Sequence, residues 1–257
     1  MIRRILAPLL ALALLAPPLP AQEPAGETIV AGLSQTRIAI TTSFSGSDVL
    51  VFGAVRREAP IPDGPLQVIV TLEGPAEQVT VRRKERVAGI WINTDAVEID
   101  RAPSFYSVAS SVPLREALTD TEDLRYSISI PRAIRSVGAV IEGAPTFVEA
   151  LIRIREEEAH YVDEPAGAEI AEDTLFRAQF RMPADLTEGT YLTRIFLTRD
   201  GRVVDSHETA IDVRKEGLER WLFALSREQP PLYGLLSLFI AVALGWAASA
   251  GFRYLRR

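Results

Sequence analysis

The sequence predicts a mainly β fold with a helical insertion, carried on one C-terminal transmembrane helix. Three features lead there: short apolar alternations cut by Gly and Pro, a helical-period stretch after Pro145, and Leu232 to Phe252 without a charged side chain.

The chain starts with Arg3 and Arg4, an apolar run from Ile5 to Ala16, and Pro17-Pro18-Leu19-Pro20-Ala21. A charged start, a short apolar centre and a breaker before a small residue form the pattern of a signal peptide over 1–21. An uncleaved anchor is the alternative, but the run is short for a hydrocarbon core of about 30 Å.

Residues 22–110 read as a β-sandwich. Arg37 to Thr41 and Asp48 to Phe52 flank Ser45-Gly46-Ser47 and are expected to form a hairpin. Leu66 to Leu72, Val79 to Val81, Ile90 to Ile92, Val97 to Ile99 and Phe105 to Val108 are further strands between Gly and Pro breaks. Residues 111–167 change character and form the helical insertion or linker. Pro113 to Leu118 suits a short helix with proline early, where its missing N–H costs little. Phe147, Leu151 and Ile154 recur at helical spacing from Pro145 into Glu156-Glu157-Glu158, and Asp163 to Gly167 should be a loop.

Strands return over 168–216, either completing the sandwich or forming a second β subdomain. Thr174 to Met182 alternates, and Tyr191 to Thr198 is joined to Arg202 to Val213 by Asp200-Gly201, a strong hairpin signal. Gly189-Thr190-Tyr191 suits the tyrosine corner of an immunoglobulin-like β-sandwich. Strand propensity alone would place a tyrosine there equally well.

Over 217–231, Leu218, Trp221, Leu222 and Leu225 fall at i, i+3, i+4 and i+7, the pattern of an amphipathic helix, expected to lie in the membrane interface, with packing on the body as the alternative. Residues 232–252 then span about 31 Å as a helix, enough to cross a bilayer. Arg253, Arg256 and Arg257 in the tail 253–257 mark its cytoplasmic side. The expected topology is a single-pass inner-membrane protein with its body in the periplasm.

The formal net charge is −6, yet Arg3, Arg4, Arg253, Arg256 and Arg257 lie at the ends. The 28 basic residues less these five leave 23 against 34 acidic, so the middle carries −11. Such a body is a poor partner for nucleic acid, whose phosphates need cations. With no cysteine, disulfides, thiolate nucleophiles and cysteine metal sites are excluded.

The whole chain resembles an alphaproteobacterial family of predicted transmembrane proteins. The residues that carry the resemblance are Val30 to Ser34, Phe44 to Asp48, Val51 to Val55, Val79 to Asn93, Ser104 to Tyr106 and Gly217 to Leu222. It implies an inner-membrane protein with a periplasmic body and no defined activity. It also implies a sulfite-exporter-like permease as partner, beside membrane lipid.

Chemistry-bearing candidates are few. His160 has Glu156 and Glu157 at i−4 and i−3, but one such set is half of a carboxylate-bridged metal site, so a solvated acidic face is preferred. His207 follows Asp205 and Ser206 on a strand, where adjacent side chains point oppositely, which argues against a relay. No phosphate loop, His-Glu-x-x-His or Gly-x-Ser-x-Gly motif occurs, so no catalytic residue, metal ligand or cofactor is assigned.

Arg82, Arg83, Lys84 and Arg86 are the dense basic cluster of an acidic body. Continuing the strand would turn Arg83 and Glu85 inward with Val79 and Val81, so the strand should end near Arg82 and the cluster cap a hairpin. A solvated turn is one reading; a site for an anionic partner or lipid headgroup is the other. In the membrane helix, Ser237, Ala241, Gly245 and Ser249 recur every four residues, a stripe that lets another helix approach.

The expectation is a membrane-anchored periplasmic accessory or interaction module assisting an inner-membrane transporter, not an enzyme. The alternative is an anchored metal- or anion-binding protein or enzyme.

Overall fold

The computed structural model describes residues 26–136, 144–217 and 225–255. The fold is mainly β, as the alternation predicts. Strands β1 (Thr28–Leu33), β2 (Arg37–Ile40), β3 (Ser47–Arg56), β4 (Leu66–Glu73), β5 (Ala76–Val87), β6 (Ile90–Pro103) and β7 (Tyr106–Ser110) come first. Helices α1 (Leu114–Ala117), α2 (Asp120–Tyr126), α3 (Ile130–Ala133) and α4 (Ala144–Glu157) follow. The chain returns to strand with β8 (Tyr161–Pro165), β9 (Ala168–Ala171), β10 (Leu175–Met182), β11 (Gly189–Arg199) and β12 (Arg202–Lys215), and closes with helix α5 (Pro230–Leu255).

A four-stranded sheet has the order β1-β3-β10-β9, and a six-stranded sheet the order β2-β12-β11-β4-β7-β8. Val49, Val51, Phe176 and Phe180 from the first meet Val68, Val70, Leu72, Tyr191, Ile195 and Leu197 from the second in one core. On its other face the six-stranded sheet buries Ile69, Tyr106, Val108 and Phe196 under Leu118, Ile128, Ile130 and Leu151 of the helical region. Covered on both faces, β4 is buried almost throughout, which explains its unbroken apolar run. The edge-ward β10 instead alternates strictly, burying Phe176, Ala178, Phe180 and Met182.

The chain folds back and forth between both β regions. β3 pairs with β10, and β4 with β11. The expected hairpin of Arg37–Thr41 with Asp48–Phe52 does not form: β2 pairs in parallel with β12, whereas β3 pairs with β1. The reason is β1 itself, which occupies the edge of β3 over Thr28–Leu33 and sends the chain across to the other sheet. The Asp200-Gly201 hairpin does form, with φ of 50° and 74° at its two turn residues, the left-handed pair of a type I′ turn. Asp163 to Pro165, expected as loop, belongs to β8, whose parallel pairing with β7 satisfies its backbone.

Tyr191 is buried, and its hydroxyl donates to the Thr187 carbonyl at 3.0 Å while its ring tilts against Phe105 at 6.2 Å. That hydrogen bond fastens the β10–β11 crossover to the start of β11. Burial pushes the phenol up to about 12, so it stays a neutral donor.

Candidate functional site

The basic cluster lies on a strand that runs on, contrary to the expectation that it would end near Arg82. β5 continues to Val87 and β6 returns from Ile90, paired from Ala76↔Pro103 to Val87↔Ile90, with a register shift beside Lys84. The turn residues Ala88 and Gly89 have φ of 51° and 89°, again the left-handed pair that suits a two-residue hairpin. The objection to inward charges does not apply, because the ribbon leaves the core before reaching them. Every residue from Arg82 to Thr94 is exposed.

The root of this hairpin is held firmly. Val97 and Ile99 are fully buried, and Val79 and Val81 pack on the helical side of the six-stranded sheet. Helix α4 runs alongside: Arg155 pairs with Glu77 at 3.1 Å, and Tyr161, just past the helix, donates to the Pro103 carbonyl at 2.8 Å. Arg83, on the face of Val79 and Val81, donates to Thr146 Oγ1 at 3.1 Å and lies over the Phe147 ring at 4.7 Å. It also faces Asp95 at 3.6 Å. Arg83 therefore fastens the ribbon to α4, and Arg82, Lys84 and Arg86 project from the opposite face.

Beyond Arg83 the ribbon carries apolar side chains into solvent. Trp91 is 69% exposed and Ile90 65%, with Val87 and Ile92 also open. By register, Trp91 stands opposite Arg86 beside Lys84, while Val87, Ile90 and Ile92 share the other face. Sequence reasoning singled out the cations and missed these four residues, reading Ile90-Trp91-Ile92 as one more short strand of the sandwich. The available signal was charge: an alternation whose inward positions include Arg83 and Glu85 cannot be a core strand throughout.

The other candidates fall elsewhere. His160 is buried rather than on a solvated face, because α4 ends at Glu157 and Ala159 turns left-handed with φ 58°. Its Nδ1 lies 3.4 Å from a Glu158 carboxylate oxygen and its Nε2 3.3 Å from Asp185. Glu156 and Glu157 are exposed and not among these partners. Among the described residues no group of three or more His, Cys, Asp or Glu could hold a metal ion. Asp205 accepts from the Ile29 amide at 2.7 Å, so it serves the β1–β12 junction rather than His207. Leu218, Trp221 and Leu222 lie outside the described residues; Leu225, half-buried, is helical with the residues up to 228.

A buried ionic cluster and a partly exposed one also came without a sequence signal. Glu27 accepts from Arg57 Nε at 2.7 Å and from Arg199 at 2.9 Å, with all three side chains nearly buried. Arg199 also donates to the Pro62 and Gly64 carbonyls. Burial alone would raise the Glu27 carboxyl, but the hydrogen bonds from Arg199 and Arg57 outweigh it and hold it below its ordinary value. In the second cluster, Glu73 meets Arg101 at 2.7 Å and Arg194 at 3.8 Å. Arg194 in turn donates to the Tyr106 hydroxyl at 3.1 Å.

Helix α5 contains a span, Pro230–Ser249, with mean hydropathy 1.8 and none of it buried against the body. Ser237, Ala241, Gly245 and Ser249 lie within it; the Ser237 hydroxyl donates to the Tyr233 carbonyl at 2.9 Å. A β position for Gly245 would meet no heavy atom within 4 Å among the described residues.

Fold and helix together describe a mainly β protein with a C-terminal helix long and apolar enough to cross a membrane. Residues 28–254 match the model of the family described as "Putative transmembrane protein (Alph_Pro_TM)", and the chain belongs to that family. No curated protein matches. Among solved structures, the sporulation control protein Spo0M from Bacillus subtilis is similar over 78% of this chain and 55% of that one, at 12% identity and a TM-score of 0.27. The chain thus spans about half the length of that protein, and the likeness carries no functional argument.

Proposed function

We propose that this protein is a single-pass inner-membrane accessory module. Its immunoglobulin-like body stands in the periplasm and works with another inner-membrane protein, a transporter in the reading that the family resemblance suggests. The observation that carries this is α5: its span Pro230–Ser249 is long enough to cross a bilayer, apolar, and covered by none of the described residues of the body. Its surface must therefore meet lipid or another helix. Arg253, Arg256 and Arg257 after the span support a cytoplasmic tail, and the signal-like start supports export of the body. The tie from Tyr191 to Thr187 supports the immunoglobulin-like form.

The test is recovery of the full-length protein in mild detergent with its companions identified. A membrane protein should co-purify in stoichiometric amount and be lost from Gly245→Ile, which fills the small-residue stripe. Equal recovery with both proteins removes α5 as the pairing surface. No co-purifying membrane protein from either removes the accessory role.

A further inference from the structure

The hairpin grows out of the six-stranded sheet at one particular end. Glu73 pairs with Tyr106, the Gly74 amide donates to the Phe105 carbonyl at 2.7 Å, and the Ser104 amide to the Pro75 carbonyl at 2.9 Å. The β5–β6 ladder then continues from Ala76 opposite Pro103. At the same end Gly189 pairs with Val213, and a β carbon on Gly189 would lie 3.0 Å from the Pro75 ring. Lys215, two residues on, is the last residue of β12, after which the chain proceeds to the membrane helix. The ribbon and the tether therefore leave the body from one edge. Residues 216–229 can span at most about 50 Å even fully extended, which sets the greatest distance that this end can stand from the bilayer.

The free part of the ribbon has the composition of a membrane-interface element. Lys84, Arg86 and Trp91 share one face, with Arg82 further down; Val87, Ile90 and Ile92 share the other, with Glu85 opposite Ile92. A two-stranded ribbon with both faces in water gains nothing from those apolar side chains until something covers them. The rest of the body is acidic and repelled by an anionic surface, so the basic ribbon is the part that can approach one. Tryptophan beside cations suits the headgroup level, where an aromatic ring meets both apolar and polar surroundings.

We infer that the β5–β6 hairpin tip docks on the lipid bilayer that α5 crosses, with Trp91, Ile90, Val87 and Ile92 entering the headgroup layer. Arg82, Lys84 and Arg86 bind anionic lipid phosphates there. This rests on the anchored reading above.

The test uses the full-length chain carrying Trp221→Phe and Trp246→Phe, which leaves Trp91 as the fluorophore, reconstituted into lipid nanodiscs. With phosphatidylglycerol present, Trp91 emission should shift to the blue, be quenched by brominated lipid and be shielded from iodide. The triple variant Arg82→Gln, Lys84→Gln, Arg86→Gln should lose most of that quenching, as should pure phosphatidylcholine discs. All three cations are exposed, so the triple variant should melt like its parent. Trp91 open to iodide and untouched by brominated lipid, in discs that retain the protein, would overturn the inference and leave the anchored reading standing. Quenching indifferent to lipid charge and to the triple variant would overturn the phosphate contact. A chain that fails to enter discs at all takes both readings down.

Discussion

Glu27→Gln is the substitution whose effect the structure determines most sharply. Glu27 precedes β1, Arg57 follows β3 and Arg199 ends β11, so this carboxylate joins the two sheets at one corner. Its side chain is 6% exposed, those of Arg199 and Arg57 7% and 11%. Glutamine has the same volume, so no cavity opens; the change turns an acceptor of two guanidinium groups into an amide that also donates. Breaking one member of such a buried ion cluster costs about 3–5 kcal/mol. For a domain of this size that corresponds to a fall of about 6–20 °C in melting temperature. The assay is thermal unfolding of the detergent-solubilised full-length protein, followed by circular dichroism. The pH dependence supplies a second check. Because folding holds the Glu27 carboxyl below its ordinary value of 4.5, its contribution is complete above 4.5 and is lost as pH falls through the lowered value. The melting temperature of the parent should therefore fall towards that of Glu27→Gln as the pH drops below 4.5. A difference under about 1 kcal/mol at neutral pH, or one that does not narrow in acid, would refute the reasoning.

Three further outcomes follow from the same geometry. Tyr191→Phe removes the hydroxyl that ties down Thr187 and should lower stability by about 0.5–1.5 kcal/mol, read as a shift in melting temperature. Gly53→Ala should cost about 1–3 kcal/mol in the same measurement, because the new methyl would lie 2.5 Å from both the Phe176 ring and the Val30 carbonyl oxygen. Arg83→Ala should loosen the hairpin root, seen as faster amide hydrogen exchange in β5 near Val81, since it removes the hold on Thr146 and Phe147. Arg86→Ala, on the exposed ribbon, should leave that exchange unchanged.

The strands that were legible in the sequence are those whose environment matches a simple period. β10 sits in one sheet with one wet face, and its alternation reads directly. β4 lies under both layers, and its continuous apolar run reads as a buried strand. The Asp200-Gly201 turn and the Tyr191 tie are local chemistry, which a short window contains. Pairing across the chain is not in any window. β2 looks like the first arm of a hairpin with β3, and nothing nearby says that its partner is β12, 175 residues away by register. Likewise Glu27 and Arg199 meet only once both sheets have formed. The hairpin was half legible: its cations stood out, but the exposure of Trp91 depends on where the body stops, which is a property of the whole fold.

The central claim is that α5 crosses a membrane and leaves the β body on the outer side of it. A chain without cysteine permits an unambiguous measurement of this. Single cysteines at exposed Asp63 and at Arg257, probed in intact spheroplasts with a membrane-impermeant maleimide, report the side of each end. Asp63→Cys should label before lysis and Arg257→Cys only after it. Labelling of both before lysis, or of Arg257→Cys alone, would contradict the account.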